Sequence, residues 1–348
     1  MAILYKYYGN GIGDNYLENP TFLLSTPNDL NDPFESNIAK DIKNLIVNNY
    51  SEEEKAYMLV PALGLINKAA LSYIKEVNLS KELQRQSIIS LTETHNDILM
   101  WAHYSDKHQG CAIGYDLDLI VEYIKRKHKE YKSFTLEPKV YKVNYRSVRF
   151  EPDNILNKHN ILRDVLRLIT TTKSDHWIYE KEHRLIIPLG CADIIRLFPM
   201  EYHGKKDKKE FDKIASNAIE SNLIKTKNQL DGYIDIVILD NSKVSDVESY
   251  ITKLRNYFKV LPLLSIPKES IRTIHFGARS GESKMITPFK IINKTPEYNS
   301  VKLFEYIISN DRFELIQQPL SSDIFNADKI DLLFDSVEHH NKPSREDR

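Results

Sequence analysis

The chain has 348 residues, of which 41% are hydrophobic, so it can bury a sizeable core in one large domain or two smaller ones. Lys and Arg total 48 against 49 for Asp and Glu, which excludes an overall basic field for binding nucleic acid or membrane. Two cysteines exclude a disulfide framework, and no apolar run approaches the roughly 20 residues that span a bilayer. We therefore expect a soluble, cytoplasmic protein with no membrane partner.

Hydrophobic periodicity divides the chain into interspersed strands and helices. The predicted strands are Ile3–Tyr8, Thr21–Ser25, Ser87–Thr92, Gly110–Tyr115, Val140–Tyr145, Glu182–Pro188, Tyr233–Leu239 and Ile271–Phe276. The predicted helices are two or three between Ile38 and Leu83, then Asn96–Tyr104, Leu117–Lys127, Ile155–Thr172, Val244–Phe258 and Val301–Ser309. Because no regular strand–helix–strand repeat connects them, the predicted class is α+β, with a central mixed or antiparallel sheet flanked by helices.

The predicted organisation is a single elaborated domain over residues 1–320. Helical insertions are expected near residues 38–86 and 191–230, and the second includes the Lys-rich stretch Gly204–Asn228. Residues 321–348 form a polar C-terminal tail in this interpretation.

One polar cluster lies in WIYEKEHRLII, Trp177–Ile187. On a strand, Glu180, Glu182 and Arg184 would share one face, because side chains alternate with a period of two. An Arg keeps a neighbouring carboxylate ionised, whereas crowding of two carboxylates raises one pKa, and both effects suit a site that holds or removes protons. The alternative is a solvated strand edge with an ordinary Glu–Arg ion pair. The aromatic and apolar neighbours favour partial burial.

A second cluster lies in MWAHYSDKHQGCAIG, where Trp101, His103, Tyr104 and His108 precede a short apolar run. His103 is a candidate proton carrier or ligand-orienting donor at neutral pH. The alternative is a core Trp with one hydrogen-bonded His. We expect no metal, because the histidines of this region are not spaced like helical zinc ligands.

The third cluster is the loop STPNDLNDPFE, Ser25–Glu35. It could place Asp32 or Glu35 over a pocket beside Ser25 and Thr26. The alternative is an Asx-rich turn that serves only as scaffold. Polar groups that adjoin apolar elements often converge on one pocket, so we expect the three clusters to line a single cleft.

Five sequence motifs resemble a widespread bacterial family of unknown function. They are LYKYYG, STPNDLNDPFE, MWAHYSDKHQGCAIGYD, WIYEKEHRLI and SIPKESIRTIHFG, and they fall in the family's order between Leu4 and Gly277. The chain departs from the family pattern at His183, where members commonly carry Trp. The stretch Gly204–Asn228 is a second departure.

A further resemblance concerns ADP-ribosyltransferase-like enzymes, which carry a polar residue on a first strand, a Ser/Thr pair on a second and a late Glu-x-Glu. This resemblance implies NAD as a substrate and a nucleotide pocket, because Lys6 or Tyr7, Ser25-Thr26 and Glu180-x-Glu182 fall in the matching order. Together with the three polar clusters, it predicts Glu182, Glu180 and His103 as catalytic residues and no metal. The predicted substrate-binding residues are Tyr5, Lys6, Tyr7, Ser25, Thr26, Asp32, Trp101, Tyr104, His108 and Arg184.

On this hypothesis the protein is an NAD- or nucleotide-processing effector, such as a bacterial toxin or a phage-defence component. One alternative is a metal-independent nuclease or phosphodiesterase that uses His103 and His108 as acid and base. Another is a non-catalytic ligand sensor or interaction domain. The acceptor, protein or nucleic acid, and the oligomeric state stay open.

Overall fold

The computed structural model describes residues 3–9, 15–35, 37–40, 42, 79–129, 136–149, 161–199, 216–220, 222–226 and 233–320. The chain divides into two compact units. Unit 1 comprises Met1–Pro20, Glu93–Asp116 and Pro267–Arg348, and unit 2 comprises Thr21–Thr92 and Leu117–Ile266. The single-domain interpretation stays a prediction, and its tail 321–348 lies outside the described residues.

Strands and helices are interspersed along the described chain. The strands, numbered in chain order, are β1 (Ile3–Tyr8), β2 (Thr21–Leu23), β3 (Gln86–Thr92), β4 (Cys111–Asp116), β5 (Lys139–Lys142), β6 (Asn144–Arg146), β7 (Thr172–Ser174), β8 (Glu182–Pro188), β9 (Ile194–Pro199), β10 (Ile224–Thr226), β11 (Ile234–Ile238), β12 (Phe258–Ser265), β13 (Ile271–Phe276), β14 (Lys302–Ile308) and β15 (Leu315–Pro319). The α-helices with both ends described are α1 (Ile98–Tyr104), α2 (Leu117–Lys127), α3 (Ile161–Thr171), α4 (Val244–Leu254) and α5 (Glu282–Lys294). Short 3-10 helices occupy Pro27–Asp29, Asp175–Glu180, Leu189–Cys191, Lys268–Ser270 and Pro296–Tyr298.

Unit 1 contains strands in the order β15-β14-β13-β4-β1. The β13–β14 pair is parallel and the other pairs are antiparallel, so the sheet is mixed. β4 is buried at every position, as expected for a short apolar run. A Cβ on Gly114 would lie 2.4 Å from Thr273 Oγ1, so the β4–β13 approach requires glycine there.

Unit 2 contains three further sets of strands. The first has the antiparallel order β10-β11-β9-β12-β2, the second is β3-β8-β5 with β8 in the middle, and the third is the parallel pair β6-β7. β8 is buried along its length except at His183, because it has a strand on each side. Apolar side chains from β8, α3 and the helical residues 79–85, including Leu83, Leu166 and Ile186, form a core cluster.

The α+β class with a mixed sheet and helices is confirmed, whereas an ADP-ribosyltransferase-like fold stays a prediction. The predicted bounds of Ile3–Tyr8, Leu117–Lys127, Glu182–Pro188 and Ile271–Phe276 agree with the structure. Most of the predicted insertion 38–86 lies outside the described residues. Among the helices that the structure describes, none is long and apolar enough to cross a membrane.

The predicted helix Val301–Ser309 is wrong, because Lys302–Ile308 forms β14, parallel to β13 and antiparallel to β15. The run KLFEYII contains aromatic and β-branched residues, which suit a strand, and a short apolar run cannot be assigned by periodicity alone. The predicted helical insertion near 191–230 is also wrong in part, since Ile194–Pro199 and Ile224–Thr226 are strands. Their neighbours β11 and β12 supply the backbone hydrogen bonds.

Candidate functional site

The polar segment of unit 2 is a 3-10 helix that turns into a strand. Glu180 ends the 3-10 helix, and Lys181 has φ 43° and ψ 47°, a left-handed conformation that reverses the chain before Glu182 begins β8. The sequence predicted that Glu180 and Glu182 share a strand face. This prediction is wrong, because Glu180 lies in the 3-10 helix and only Glu182 lies on β8. The turn nevertheless directs both carboxylates to the same cation, Lys173.

Arg184 is fully buried and lies among carboxylates. Its Nε and Nη2 donate to the two oxygens of Glu182 at 2.8 and 2.9 Å, a bidentate geometry. Its Nη1 donates to the carbonyl oxygen of Thr170 at 2.8 Å, and its Nη2 lies 2.7 Å from Glu35 Oε2. The alternative of a solvated Glu–Arg pair is therefore wrong, since Glu182 is only 4% exposed.

Lys173, on β7, connects the remaining carboxylates. Its Nζ lies 2.6 Å from Glu180 Oε2, 3.3 Å from Glu182 Oε2 and 3.5 Å from Glu35 Oε1. The same ammonium lies 4.8 Å from the centre of the Trp177 ring, a cation–π distance. We call Glu35, Lys173, Glu180, Glu182 and Arg184 the charge cluster. Three carboxylates against two cations leave a formal charge of about −1 when all are ionised.

Electrostatics keeps Glu182 and Lys173 ionised. Burial by itself raises the pKa of Glu182, but Arg184 and Lys173 outweigh it and lower that pKa to about 2. Burial lowers the pKa of Lys173, but Glu182, Glu180 and Glu35 outweigh it and raise that pKa above the ordinary value. At neutral pH Glu182 is therefore a carboxylate and Lys173 an ammonium, so neither a Glu182 general acid nor a Lys173 amine nucleophile fits this arrangement.

A cavity of about 350 Å³ adjoins the charge cluster within unit 2. Its polar lining includes Asp32, Glu35, Arg146, Arg149, Lys173, Ser174 and His176. Glu35 and Lys173 belong to both the cavity wall and the charge cluster. Glu180, Glu182 and Arg184 are not lining residues, so a ligand in this cavity would meet their charge through Glu35 and Lys173.

The NDPFE loop supplies the acidic wall of this cavity. Asp32 is 2% exposed, and its Oδ1 accepts a hydrogen bond from the Phe34 amide at 2.9 Å. Its Oδ2 is buried and has no hydrogen-bond partner within the described part of the chain. A buried carboxylate oxygen without a donor is costly, so this atom favours a ligand that brings one.

Ser25 and Thr26 belong to unit 2 but do not line the described cavity. The amide and hydroxyl of Thr26 both donate to Asp29 Oδ2, at 2.8 and 2.7 Å, which fixes the start of a 3-10 helix. The Ser25 carbonyl accepts from the Ile88 amide at 2.7 Å. Both contacts are structural.

The other predicted site residues belong to unit 1. Tyr7 packs edge-on against the fully buried Trp101 at 5.0 Å, and the Trp101 indole donates to the His95 carbonyl at 2.8 Å. His103 is exposed at the end of α1. The Trp101 contacts match the alternative of a core Trp, although a role for His103 stays a prediction.

Four more of the predicted site residues, Tyr5, Lys6, Tyr104 and His108, also lie in unit 1. Lys6, on β1, and Tyr104 are half-buried. His108 has φ 72°, in the left-handed region. The pKa of its imidazole is lowered, mainly by burial and to a lesser extent by the positive charge of Arg279. Tyr5 contacts His95 and His275, at centroid distances of 4.7 and 5.6 Å. Because the predicted site residues divide between the two units, the single cleft stays a prediction.

Sequence reasoning missed several residues that the fold brings together. In unit 2 these are Lys173, Arg146 and Arg149, each in a stretch without a recognisable motif. In unit 1, His275 stacks on His95 at 4.3 Å, and His95 Nδ1 lies 2.5 Å from the Tyr306 hydroxyl. Within the described ranges no group of three or more His, Cys, Asp or Glu side chains is placed to hold a metal ion. The absence of a metal stays a prediction.

The structure thus defines an α+β protein with a buried charge cluster beside a small cavity. Residues 100–185 match the model of a family described as "Protein of unknown function (DUF2971)". No curated protein and no solved structure matches the chain. The resemblance to an uncharacterised family is confirmed over the matched range, which holds Trp101–Gly110 and the segment that ends at Leu185. The individual motifs and the ADP-ribosyltransferase resemblance stay predictions.

Proposed function

We propose that the cavity of unit 2 binds a nucleotide and that the protein cleaves the bond at its glycosidic carbon, with NAD as the first candidate. The observation that carries this proposal concerns Asp32, which lines the cavity. Its Oδ2 is a buried hydrogen-bond acceptor to which no group in the described part of the chain donates. A ribose diol supplies hydroxyl donors, and Arg146, Arg149 and Lys173 suit a phosphate. The volume of about 350 Å³ falls in the range of small-molecule pockets.

The proposed reaction resembles ADP-ribosyl transfer. The bond from C1′ to the nicotinamide nitrogen breaks, and nicotinamide leaves with the bonding electrons. Water or an acceptor hydroxyl then bonds to C1′ and releases its proton. Positive charge develops on the ribose during this step, and the fixed negative charge around Glu35 stabilises it.

Glu182 and Glu180 act on Lys173 and Glu35 in this proposal. Their contacts with Lys173 hold its ammonium at the cavity wall, and the Glu182–Arg184 pair holds Arg184 against Glu35. They are therefore positioning residues here, whereas the direct catalytic role inferred from the sequence stays a prediction.

Asp32→Asn is the sharpest test. We expect calorimetry to show at least about tenfold weaker binding of NAD, because a charge-assisted hydrogen bond is lost. The matched control is Asp118→Asn, which changes an exposed carboxylate of α2 outside this cavity. Equal affinity of wild type and Asp32→Asn, or no binding by wild type, would contradict the proposal.

The charge cluster also favours a second candidate, a ligand sensor without turnover. Glu182 and Lys173 are held in one protonation state, as suits a binding site more than a proton-transfer site. Binding of NAD without release of nicotinamide would support the sensor. Cleavage of RNA without loss of NAD would instead support the nuclease alternative.

A toxin or defence role in the cytoplasm predicts that expression of the wild-type protein arrests growth. Expression of the Asp32→Asn variant should then leave growth unaffected.

A further inference from the structure

We propose that Ser174 is an acceptor of the glycosyl group, so that the protein modifies itself. This inference rests on the proposed function, because it needs an activated ribose in the cavity. Ser174 and His176 both line that cavity, beside Lys173 of the charge cluster. The sequence motifs did not include either residue.

The hydroxyl of Ser174 is placed for deprotonation. Its Oγ lies 2.9 Å from His176 Nδ1, within the distance at which an imidazole accepts a hydroxyl proton. The Asp175 carboxylate lies 3.5 Å from the same hydroxyl and 3.3 Å from the same ring nitrogen. Two acceptors therefore surround one hydroxyl at the edge of the cavity.

The local fold leaves this hydroxyl partly accessible. Ser174 ends β7 and precedes the 3-10 helix, where its Oγ accepts only a long bond, 3.4 Å, from the His176 amide. The His176 side chain is 90% exposed, so it can pass a proton to solvent. A hydroxyl that only capped the helix would need neither the imidazole nor a place in the cavity wall.

Glycosyl transfer to Ser174 exchanges one bond at C1′ for another. Ser174 Oγ bonds to C1′ of the ribose as the C1′–nicotinamide bond breaks, and nicotinamide leaves with the electron pair. The hydroxyl proton moves to His176 Nδ1 and then to solvent. The products are ADP-ribose joined to Ser174 Oγ by an O-glycosidic bond, free nicotinamide and one proton.

The experiment incubates the full chain with NAD and measures intact mass, modified residues and nicotinamide release. We expect a single ADP-ribosyl adduct on Ser174 in wild type, no adduct in Ser174→Ala, and an adduct retained in Ser174→Thr. His176→Ala should lower the rate of adduct formation about a hundredfold, as for loss of a general base. Ser249→Ala, on the exposed side of α4, is the matched control and should keep the adduct.

The outcomes separate this inference from the proposed function. Nicotinamide release by wild type without an adduct, or with an adduct only at other residues, overturns the Ser174 assignment and leaves the proposed function standing. Wild type that neither binds nor consumes NAD overturns both. An adduct formed at the wild-type rate in His176→Ala overturns the proton transfer. Because His176 is exposed, its variant remains informative even where Ser174→Ala fails to fold.

Discussion

At the residue scale, the main feature is that five charged side chains of unit 2 are nearly inaccessible to solvent, yet each has partners of opposite charge. Burying ions is costly, and the cost is offset only when the geometry satisfies each of them. Glu182 contacts both cations, so its removal affects the whole cluster.

Glu182→Gln should therefore destabilise unit 2. Gln cannot balance Arg184 and Lys173, and loss of one partner from a buried ion pair costs roughly 3 kcal/mol. A catalytic Glu182, as the sequence predicts, would instead lose activity in this variant without losing stability. Urea unfolding of wild type, Glu182→Gln and the exposed control Glu122→Gln measures the difference. An unchanged midpoint together with lost activity would support direct catalysis.

Glu248 is a buried carboxyl whose pKa is shifted in the direction opposite to that of Glu182, and this shift predicts how stability depends on pH. Burial raises its pKa to about 7, although the charge of Arg85 opposes the shift. Because the folded state then holds a proton that the unfolded state has released, stability should fall as pH rises from about 4.5 to about 7.

Replacing Glu248 with Gln should remove this pH dependence and add on the order of 2 kcal/mol at pH 8. Chemical denaturation at pH 5 and pH 8 provides the measurement. Glu122→Gln is again the control, since its carboxylate is exposed. A wild-type protein as stable at pH 8 as at pH 5 would contradict the assignment.

At the element scale, α4 packs closely against the 3-10 helix Leu189–Cys191, because Gly190 in that helix has no side chain to keep the α4 backbone away. A Cβ on Gly190 would lie 1.9 Å from the Val244 carbonyl oxygen and 2.8 Å from its carbon. Both are backbone atoms, so a side chain cannot be accommodated by a rotamer change.

Gly190→Ala should thus separate α4 from the sheet and cost about 3 kcal/mol, the upper part of the range for overpacking. Gly281→Ala is the control, because a Cβ there meets only Ser283 Oγ at 3.8 Å. Thermal melting of the two variants distinguishes them. Similar melting temperatures would mean that the helix moves without cost.

At the scale of the whole molecule, each compact unit carries one of the two tryptophans, Trp101 in unit 1 and Trp177 in unit 2. If residues 1–320 form one domain, as the sequence predicts, both tryptophans should report one unfolding transition. Fluorescence-monitored denaturation of wild type and Trp177→Phe tests this. In Trp177→Phe only Trp101 reports unfolding. If its transition has a midpoint different from that of the wild type, the two units unfold as separate domains.

Local sequence determined much of this protein. The apolar run that ends β8, Leu185–Ile187, and the continuous apolar run of β4 predict strands because neighbouring residues alone set the length and the polarity of each run. Asp97 likewise caps α1, accepting from the Leu99 and Met100 amides, as a short polar residue before an apolar run suggests. The charged nature of the Glu180–Arg184 segment was also evident from residue types.

Only the tertiary structure decided which of these groups meet. Lys173 and Glu35 are 138 residues apart, and neither has a motif that points to the other, yet their side chains lie within 3.5 Å. The switch of Val301–Ser309 from predicted helix to strand has the same origin, since pairing with β13 and β15 supplies hydrogen bonds that no local pattern shows. Side-chain type is a local property, whereas burial and charge pairing depend on contacts between segments that are distant in the sequence.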